Sequence, residues 1–283
     1  MPSPLPSVTC VGAIYSGSER GLAADVLAAR HARLAPHTVC TAIVAASHGA
    51  VTDLTEVPVD TVRSQLEHLG RVAPPEAVRI GVLGSDKNAV AVLDWASGVN
   101  GPVILEFVAS GPSGETVLPA RGIDRVAERL GAADLVMLSR QDAELVTGGQ
   151  IASLDDAQVA AQRVTNRGAK RVAIDCGVLP ARFFDAADDP GGDGAAGPLA
   201  ATVVFDGEDF VLLEHPAIPQ SSGLKSLWAI TALSSRLLGN DWEACYQVST
   251  RETVEASRAG TLAASGETLV GFGWELQADR QGP

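Results

Sequence analysis

Apolar residues along this chain follow two alternating rhythms. Short β-rich runs are separated by stretches that carry one apolar face at every third or fourth position. Residues 8–14 read as a buried strand, then the turn Tyr15-Ser-Gly-Ser-Glu-Arg-Gly21, then a helix with Leu22, Val26 and Ala29 at helical spacing. Residues 38–46 form a second strand, and Val59, Val62, Leu66 and Leu69 give the next helix one apolar side. A third strand over 78–83 leads to Gly84-Ser85-Asp86, which can cap a helix bearing Val90 and Leu93. A fourth follows at 103–108. After the loop 110–115, Ile123, Val126 and Leu130 mark a helix that stops before Gly131, and 135–138 are strand-like. Ser153 with Asp156 resembles a capping box for a helix that ends near Asn166 or Arg167, before Gly168. The sixth strand covers 171–175. Residues 202–205 and 210–213, joined through Asp206-Gly207, predict an antiparallel hairpin, and two last helices begin near Ser222 and Asn240.

Strands that alternate with helices predict a mainly parallel sheet with helices on both faces, an α/β fold with ligands beyond the carboxyl ends of the strands. One domain is expected over 1–260, with a mobile loop at 188–198 and a loosely ordered tail at 261–283. At 283 residues with 46% hydrophobic side chains and mean hydropathy +0.15, the chain has enough apolar material for a sizeable core. Aromatics supply only 4%, so Ala, Val and Leu must fill it. Its 21 basic against 34 acidic residues give −13 and a pI near 4.7. Such a surface repels phosphate backbones and anionic lipid, so neither nucleic acid nor membrane is an expected partner. No apolar run reaches the ~18 residues of a membrane span, and the start Met-Pro-Ser-Pro-Leu-Pro-Ser lacks the pattern of a secretory signal. Cys10, Cys40, Cys176 and Cys245 form no CxxC pair and read as buried free thiols, which fits a cytoplasmic protein.

Two strand-to-helix turns are the candidates for chemistry. Ser16-Gly-Ser-Glu-Arg-Gly21 either holds an anion on its amides or only caps a helix; it is no dinucleotide fingerprint, because GxGxxG is absent. Gln220-Ser-Ser-Gly-Leu-Lys-Ser226 is the better phosphate cradle, with an ordinary N-cap at Ser222 as the alternative. A Walker A loop is excluded there, since Leu224 separates Gly223 from Lys225. The five histidines show no ligand spacing, and the acidic residues Asp188, Asp189 and Asp193 lack the alternation of a calcium loop. Trp95, Trp228, Trp242 and Trp274 read as core or subunit-contact residues.

In order and spacing of segments, from Val11-Gly12 and Gly21-Leu-Ala-Ala-Asp25 through residues 38–45, 59–66, 78–83, 103–106 and 168–174 to the Gly223 turn, the chain resembles the hydroxymethylpyrimidine and phosphomethylpyrimidine kinases of thiamine synthesis. That resemblance implies a ribokinase-like three-layer α/β/α sandwich and transfer of the ATP γ-phosphate to a primary hydroxyl of a small heteroaromatic, with Mg²⁺ and ATP as cofactors and a homodimer as one expected assembly. It assigns Ser221, Ser222 and Gly223 to the transferring phosphate, and Ser139, Asp142, Asp175 and Lys225 to the nucleotide. Gly12, Ala46 and Val108 fall to the substrate, and Glu106 and Asp142 to Mg²⁺. Departures from the family pattern are many. Leu224 stands where the base belongs, and an aliphatic side chain accepts no proton. Asp175-Cys176-Gly177 replaces a lysine and two glycines, which sets a negative charge beside a polyanion at a cost on the order of 1 kcal/mol. Met137-Leu-Ser-Arg-Gln-Asp142 replaces the Thr-Pro-Asn…Glu segment, and Ala46 a substrate-reading glutamine. Lys225 and Arg140 either compensate by facing phosphate or are ordinary surface charges, the latter preferred. Two expectations result: phosphoryl transfer that is slow or impaired, or an inactive relative that binds a ligand or partner through the same crevice.

Overall fold

The structure, a computed structural model, describes residues 4–47, 50–178, 199–218, 222–262 and 268–271. Its strands are β1 (Ser7–Ser16), β2 (Ala35–Ser47), β3 (Ala50–Glu56), β4 (Ala77–Ile80), β5 (Val103–Glu106), β6 (Leu135–Ser139), β7 (Val172–Val178), β8 (Leu199–Phe205) and β9 (Phe210–Pro216), with the short β10 (Thr261–Leu262) and β11 (Thr268–Leu269). The helices are α1 (Leu22–His31), α2 (Val59–Val72), α3 (Asp86–Ala96), α4 (Ala120–Ala127), α5 (Arg140–Thr147), α6 (Leu154–Thr165), α7 (Leu224–Leu237) and α8 (Trp242–Arg258). Nine strands make one sheet in the order β3-β2-β1-β4-β5-β6-β7-β8-β9. The six from β2 to β7 run parallel, while β3, β8 and β9 are antiparallel additions at the two sides. Strand order reverses between β1 and β4, the place where open α/β sheets take their ligands.

The expected three-layer sandwich is present. One face buries Val78, Leu105, Val136 and Ile174 against α2–α6, and the other buries Ala77, Ile104, Leu135 and Ala173 against α1, α7 and α8. Because side chains alternate along a strand, these residues fix the direction of their neighbours. Gly12, Arg79, Glu106, Ser139 and Asp175 all fall on the α1/α7/α8 face, and Glu106 and Ser139 are the last residues of their strands. Ser85 Oγ accepts from Asn88 N and Ser153 Oγ accepts from Asp156 N, so both expected caps form. The 202–213 hairpin is also found.

Some boundaries differ from the sequence expectation. β4 ends at Ile80 rather than 83: Gly81 N–H still donates to Val11 O, and the strand pairing stops there. The edge strand β3 and the helix α5 are additional elements: β3 is largely exposed, which leaves it a weak apolar pattern, and α5 buries only Asp142, Ala143 and Val146. Near the second turn, Leu269 of β11 bridges to Ser222 and Val270 is buried. The 188–198 loop, Ser221 and Trp274 lie outside the described residues, as does the rest of the tail beyond 271. Among the described residues no helix is long and apolar enough to cross a membrane. The four cysteines are free, three of them buried and Cys40 partly so.

Candidate functional site

The two glycine turns, 202 residues apart in the chain, meet at the carboxyl ends of the strands: Arg20 Nε donates to Ser222 Oγ at 3.2 Å. Gly21 closes the first turn at φ 58, where an added Cβ would lie 2.3 Å from Ala13 O, so only glycine fits. Gly223 precedes α7 at φ 87 and no side chain caps that helix. Among the described residues its first-turn amides have no side-chain cap.

Beneath α7 lies an ionic chain drawn from four elements. Arg79 of β4 is 2% exposed; its Nε sits 3.4 Å from Asp25 Oδ1 of α1, and its Nη2 donates to Glu106 Oε2 at the end of β5. Glu106 Oε1 then lies 3.7 Å from Lys225 Nζ. Burial works against the Glu106 carboxylate, but Arg79 and Lys225 outweigh it and hold its pKa below the usual glutamate range. Burial likewise opposes the Lys225 charge, and Glu106, Asp175 and Asp142 more than offset this, raising its pKa above the ordinary lysine value. Asp25 goes the other way: burial raises its carboxyl, with Arg79 and Ser226 pulling it back.

Lys225 is thus not an ordinary surface charge, as the sequence reading preferred. It is half-buried, and its ammonium lies beside the buried Glu106 carboxylate at the end of β5. Arg140, by contrast, is exposed. Asp142 sits at the start of α5 with both oxygens engaged: Oδ1 accepts from Ala109 N at 3.2 Å and Oδ2 from Ser139 Oγ at 2.7 Å. Burial raises its pKa above the ordinary aspartate value. Asp175 pairs in register with Ser139 across β6 and β7, and its exposed carboxylate accepts from Gly177 N. Leu224 is the first residue of α7 and is partly buried against the apolar cluster of that face.

Toward β1–β3 the lining turns apolar. Ala46 and Val108 come together with Tyr15, Val82 and Val117 in one small cluster. Gly12 sits beside it, with Leu22 and Val82 about a Cβ contact away. The Tyr15 hydroxyl has its pKa pushed up to about 12, by burial first and by Glu106 second, so at neutral pH it keeps its proton and cannot serve as a base. Tyr15, Asp25, Arg79 and Ser226 are the site residues that sequence reasoning missed. Their signal was an arginine inside the apolar run Val-Arg-Ile and a glutamate ending Val-Ile-Leu-Glu, two charges aimed at a buried face. A separate hollow of about 650 Å³ opens at the other end of β5–β7, near Asp134, Lys170, Arg171 and Trp242. It gathers none of these groups, and the carboxyl-end crevice is the better candidate on chemistry.

Parallel strands around an order reversal, an uncapped glycine turn and a half-open lysine define a phosphate-handling α/β protein of the small-molecule kinase type. A model of the phosphomethylpyrimidine kinase family matches residues 16–222, and the chain belongs to that family, with a kinase-like function. Similar curated proteins include a hydroxymethylpyrimidine/phosphomethylpyrimidine kinase from Aquifex aeolicus, 26% identical over 218 residues, covering 75% of this chain and 79% of the relative. Another, from Bacillus subtilis, is 25% identical over 252 residues, covering 85% and 86%. Among solved structures, a Staphylococcus aureus pyridoxal kinase in complex with AMP-PCP and pyridoxal superposes with a TM-score of 0.80 at 19% identity, covering 98% of this chain and 96% of that one. The phosphomethylpyrimidine kinase from Clostridium difficile gives 0.71 at 19%, covering 89% and 99%. These likenesses establish the ribokinase-like fold. The family match ends at Ser222, inside the second glycine turn and two residues before Leu224.

Proposed function

We propose that the crevice transfers the γ-phosphoryl group of ATP to a primary hydroxyl of a small heteroaromatic such as hydroxymethylpyrimidine or its phosphate, and does so slowly. The observation that carries this reading is the Lys225 ammonium beside Glu106 at the start of α7, with the apolar Ala46–Val108–Tyr15 cluster on the β1–β3 side of the same strand ends. A flat ring fits the apolar side and a polyphosphate the cationic side. The alcohol oxygen would attack phosphorus, the bond to the β-phosphate oxygen would break, and ADP would leave. With Leu224 at the end of the turn, the alcohol proton goes to water, and loss of a positioned base costs about 10²–10⁴ in rate. Tyr15 does not replace it because it holds its proton, and the Asp142 carboxylate is tied to Ala109 N and Ser139 Oγ.

Magnesium is the metal such kinases are expected to use, with Glu106 and Asp142 as its carboxylates. The residues present do not fit it as direct ligands. Both Glu106 oxygens face cations and both Asp142 oxygens accept hydrogen bonds. Among the described residues no three His, Cys, Asp or Glu side chains gather as a metal site. No step of the transfer is therefore assigned to a protein-held metal.

A second reading, a ligand-binding protein without turnover, is favoured by Leu224 and by the exposed carboxylate of Asp175 on the phosphate side. Incubation of the pure protein with ATP and hydroxymethylpyrimidine, with product followed by chromatography, separates the two. Product at about one-hundredth of a normal kinase rate or less supports slow transfer. Product at a full rate refutes the impairment, and ligand binding without any product selects the second reading. A cytoplasmic location and a homodimeric assembly complete the proposal, the second testable by light scattering.

A further inference from the structure

We propose that Lys225 takes the place of a divalent cation in this crevice, so that a nucleotide polyphosphate binds here without magnesium. The inference rests on the reading that the crevice takes a nucleotide, and its argument is one of charge and reach.

Three carboxylates stand at this end of the strands: Glu106, 3.7 Å from Lys225, Asp142, bonded to Ser139 at the end of β6, and Asp175, in register with Ser139 on β7. A polyanion brought to three carboxylates meets strong like-charge repulsion unless a cation sits between them. Arg79 does not fill that role. Its side chain is 3% exposed and enclosed by Asp25, Glu106 and the Ile80 carbonyl, out of a ligand's reach. Lys225 does: its side chain is 40% exposed and its ammonium lies 3.7 Å from Glu106 Oε1, a loose pair that leaves donors for a second anion. It is also the second residue of α7, where the helix dipole favours the same anion. The ammonium therefore stands against the carboxylate that a divalent ion would need, and the other carboxylate is already tied to Ala109 N and Ser139 Oγ. A metal would have to displace Lys225 from Glu106 to enter.

Calorimetry of ADP and of inorganic tripolyphosphate tests the proposal, run once in EDTA and once in millimolar Mg²⁺, on the wild-type protein, Lys225→Arg and Lys225→Met. A third arm titrates Mg²⁺ alone and reads the melting temperature. The wild type and Lys225→Arg are expected to bind ADP with affinities that agree within about threefold in the two buffers, a difference under 1 kcal/mol. Lys225→Met is expected to lose about tenfold or more in EDTA and to recover with Mg²⁺. In the third arm, Mg²⁺ alone leaves the wild type unmoved and raises the melting temperature of Lys225→Met, whose Glu106 is then open on one side. Wild-type binding that appears only with Mg²⁺, or a wild type stabilised by Mg²⁺ alone, overturns the proposal. If ADP and tripolyphosphate bind in neither buffer, the nucleotide reading fails, and the Mg²⁺ arm still decides whether Lys225 blocks the metal. Circular dichroism of each variant guards against misfolding, and Lys225→Arg separates charge from fold.

Discussion

The face of the sheet under α2–α6 is lined almost wholly by Val, Leu, Ile and Ala, and its buried polar side chains serve the backbone: Thr41 donates to Val82 O, and Asn88 Nδ2 to Thr41 O and Val57 O. The face under α1, α7 and α8 is built from the same strands one residue out of phase, yet it encloses Asp25, Arg79 and Glu106 and opens on Lys225. Unpartnered buried polar atoms occur on both faces among the described residues, Asn88 Oδ1 and Thr165 Oγ1 on the first and the hydroxyls of Tyr246, Ser249, Thr253 and Ser257 on the second. One face spends its burial on stability, where any well-shaped apolar side chain serves. The other gives up some of that gain to hold charges in fixed places, since taking ions out of water costs several kcal/mol each unless they are paired. The difference locates the function: a charge network this enclosed has no role in folding that an aliphatic cluster would not fill more cheaply.

The largest effect is expected from Arg79→Met, which leaves Asp25 and Glu106 enclosed without their shared cation. Urea unfolding should show a loss of about 3–5 kcal/mol. The triple change Arg79→Met, Asp25→Asn, Glu106→Gln should recover part of it, because the unpaired charges are then gone. A loss under about 1 kcal/mol for the single change would show that the network is not structurally committed, and the contrast between the faces would fall.

Acid titration gives a smaller effect with a definite sign. Glu106 has a folded pKa below its unfolded value, so its contribution is complete above about pH 4.3 and fades as pH falls through the lowered value. Asp25 has a raised folded pKa, so between its unfolded value near pH 3.9 and that raised value its contribution grows as pH falls. Melting temperatures between about pH 3 and pH 6 should therefore fall less steeply in Glu106→Gln and more steeply in Asp25→Asn. Parallel curves for the two variants would mean that the carboxylates are not held as described.

Much of this was readable from the chain alone, and the contrast explains which part. The aliphatic face writes itself as alternation and 3.6-residue periodicity, so the strands at 8–14, 38–46 and 103–108 and the helices with Val62 and Leu66 or Val90 and Leu93 could be placed directly. Glycine turns showed where ligands enter, and collinear motifs indicated the family. The ionic face has no period. Asp25, Arg79, Glu106 and Lys225 lie 54, 27 and 119 residues apart in turn, and their meeting depends on strand order, which no local pattern encodes. Lys225 in particular reads as a solvated lysine until α7 is set against the end of β5. The edge strand β3 escaped notice for a related reason: with most of its residues exposed, burial leaves little imprint on its sequence.

A conservative change in the aliphatic face sharpens the contrast further. Ile174→Val, at a fully buried position beside the start of the Asp175 turn, should cost about 1 kcal/mol by calorimetric melting. Nucleotide affinity and the acid limb of the stability curve should not move. A shift in either would show that the charges sense packing on the opposite side of the sheet.

The smallest expected effect is the cap of α6. Ser153 Oγ accepts from Asp156 N at 3.0 Å while Asp156 Oδ2 accepts from Ala152 N at 3.0 Å, so the two side chains close the helix start from both sides. Ser153→Ala removes half of that arrangement and should lower stability by about 0.5–1 kcal/mol, with Ser153→Gly losing only a few tenths. The informative measurement is the pair Ser153→Ala and Glu106→Gln, one on each face. If the sheet keeps its two sides energetically separate, their losses add to within about 0.5 kcal/mol. A larger coupling would mean that α6, through β7 and Asp175, helps to set the charge on the crevice, and the dry face would then belong to the site.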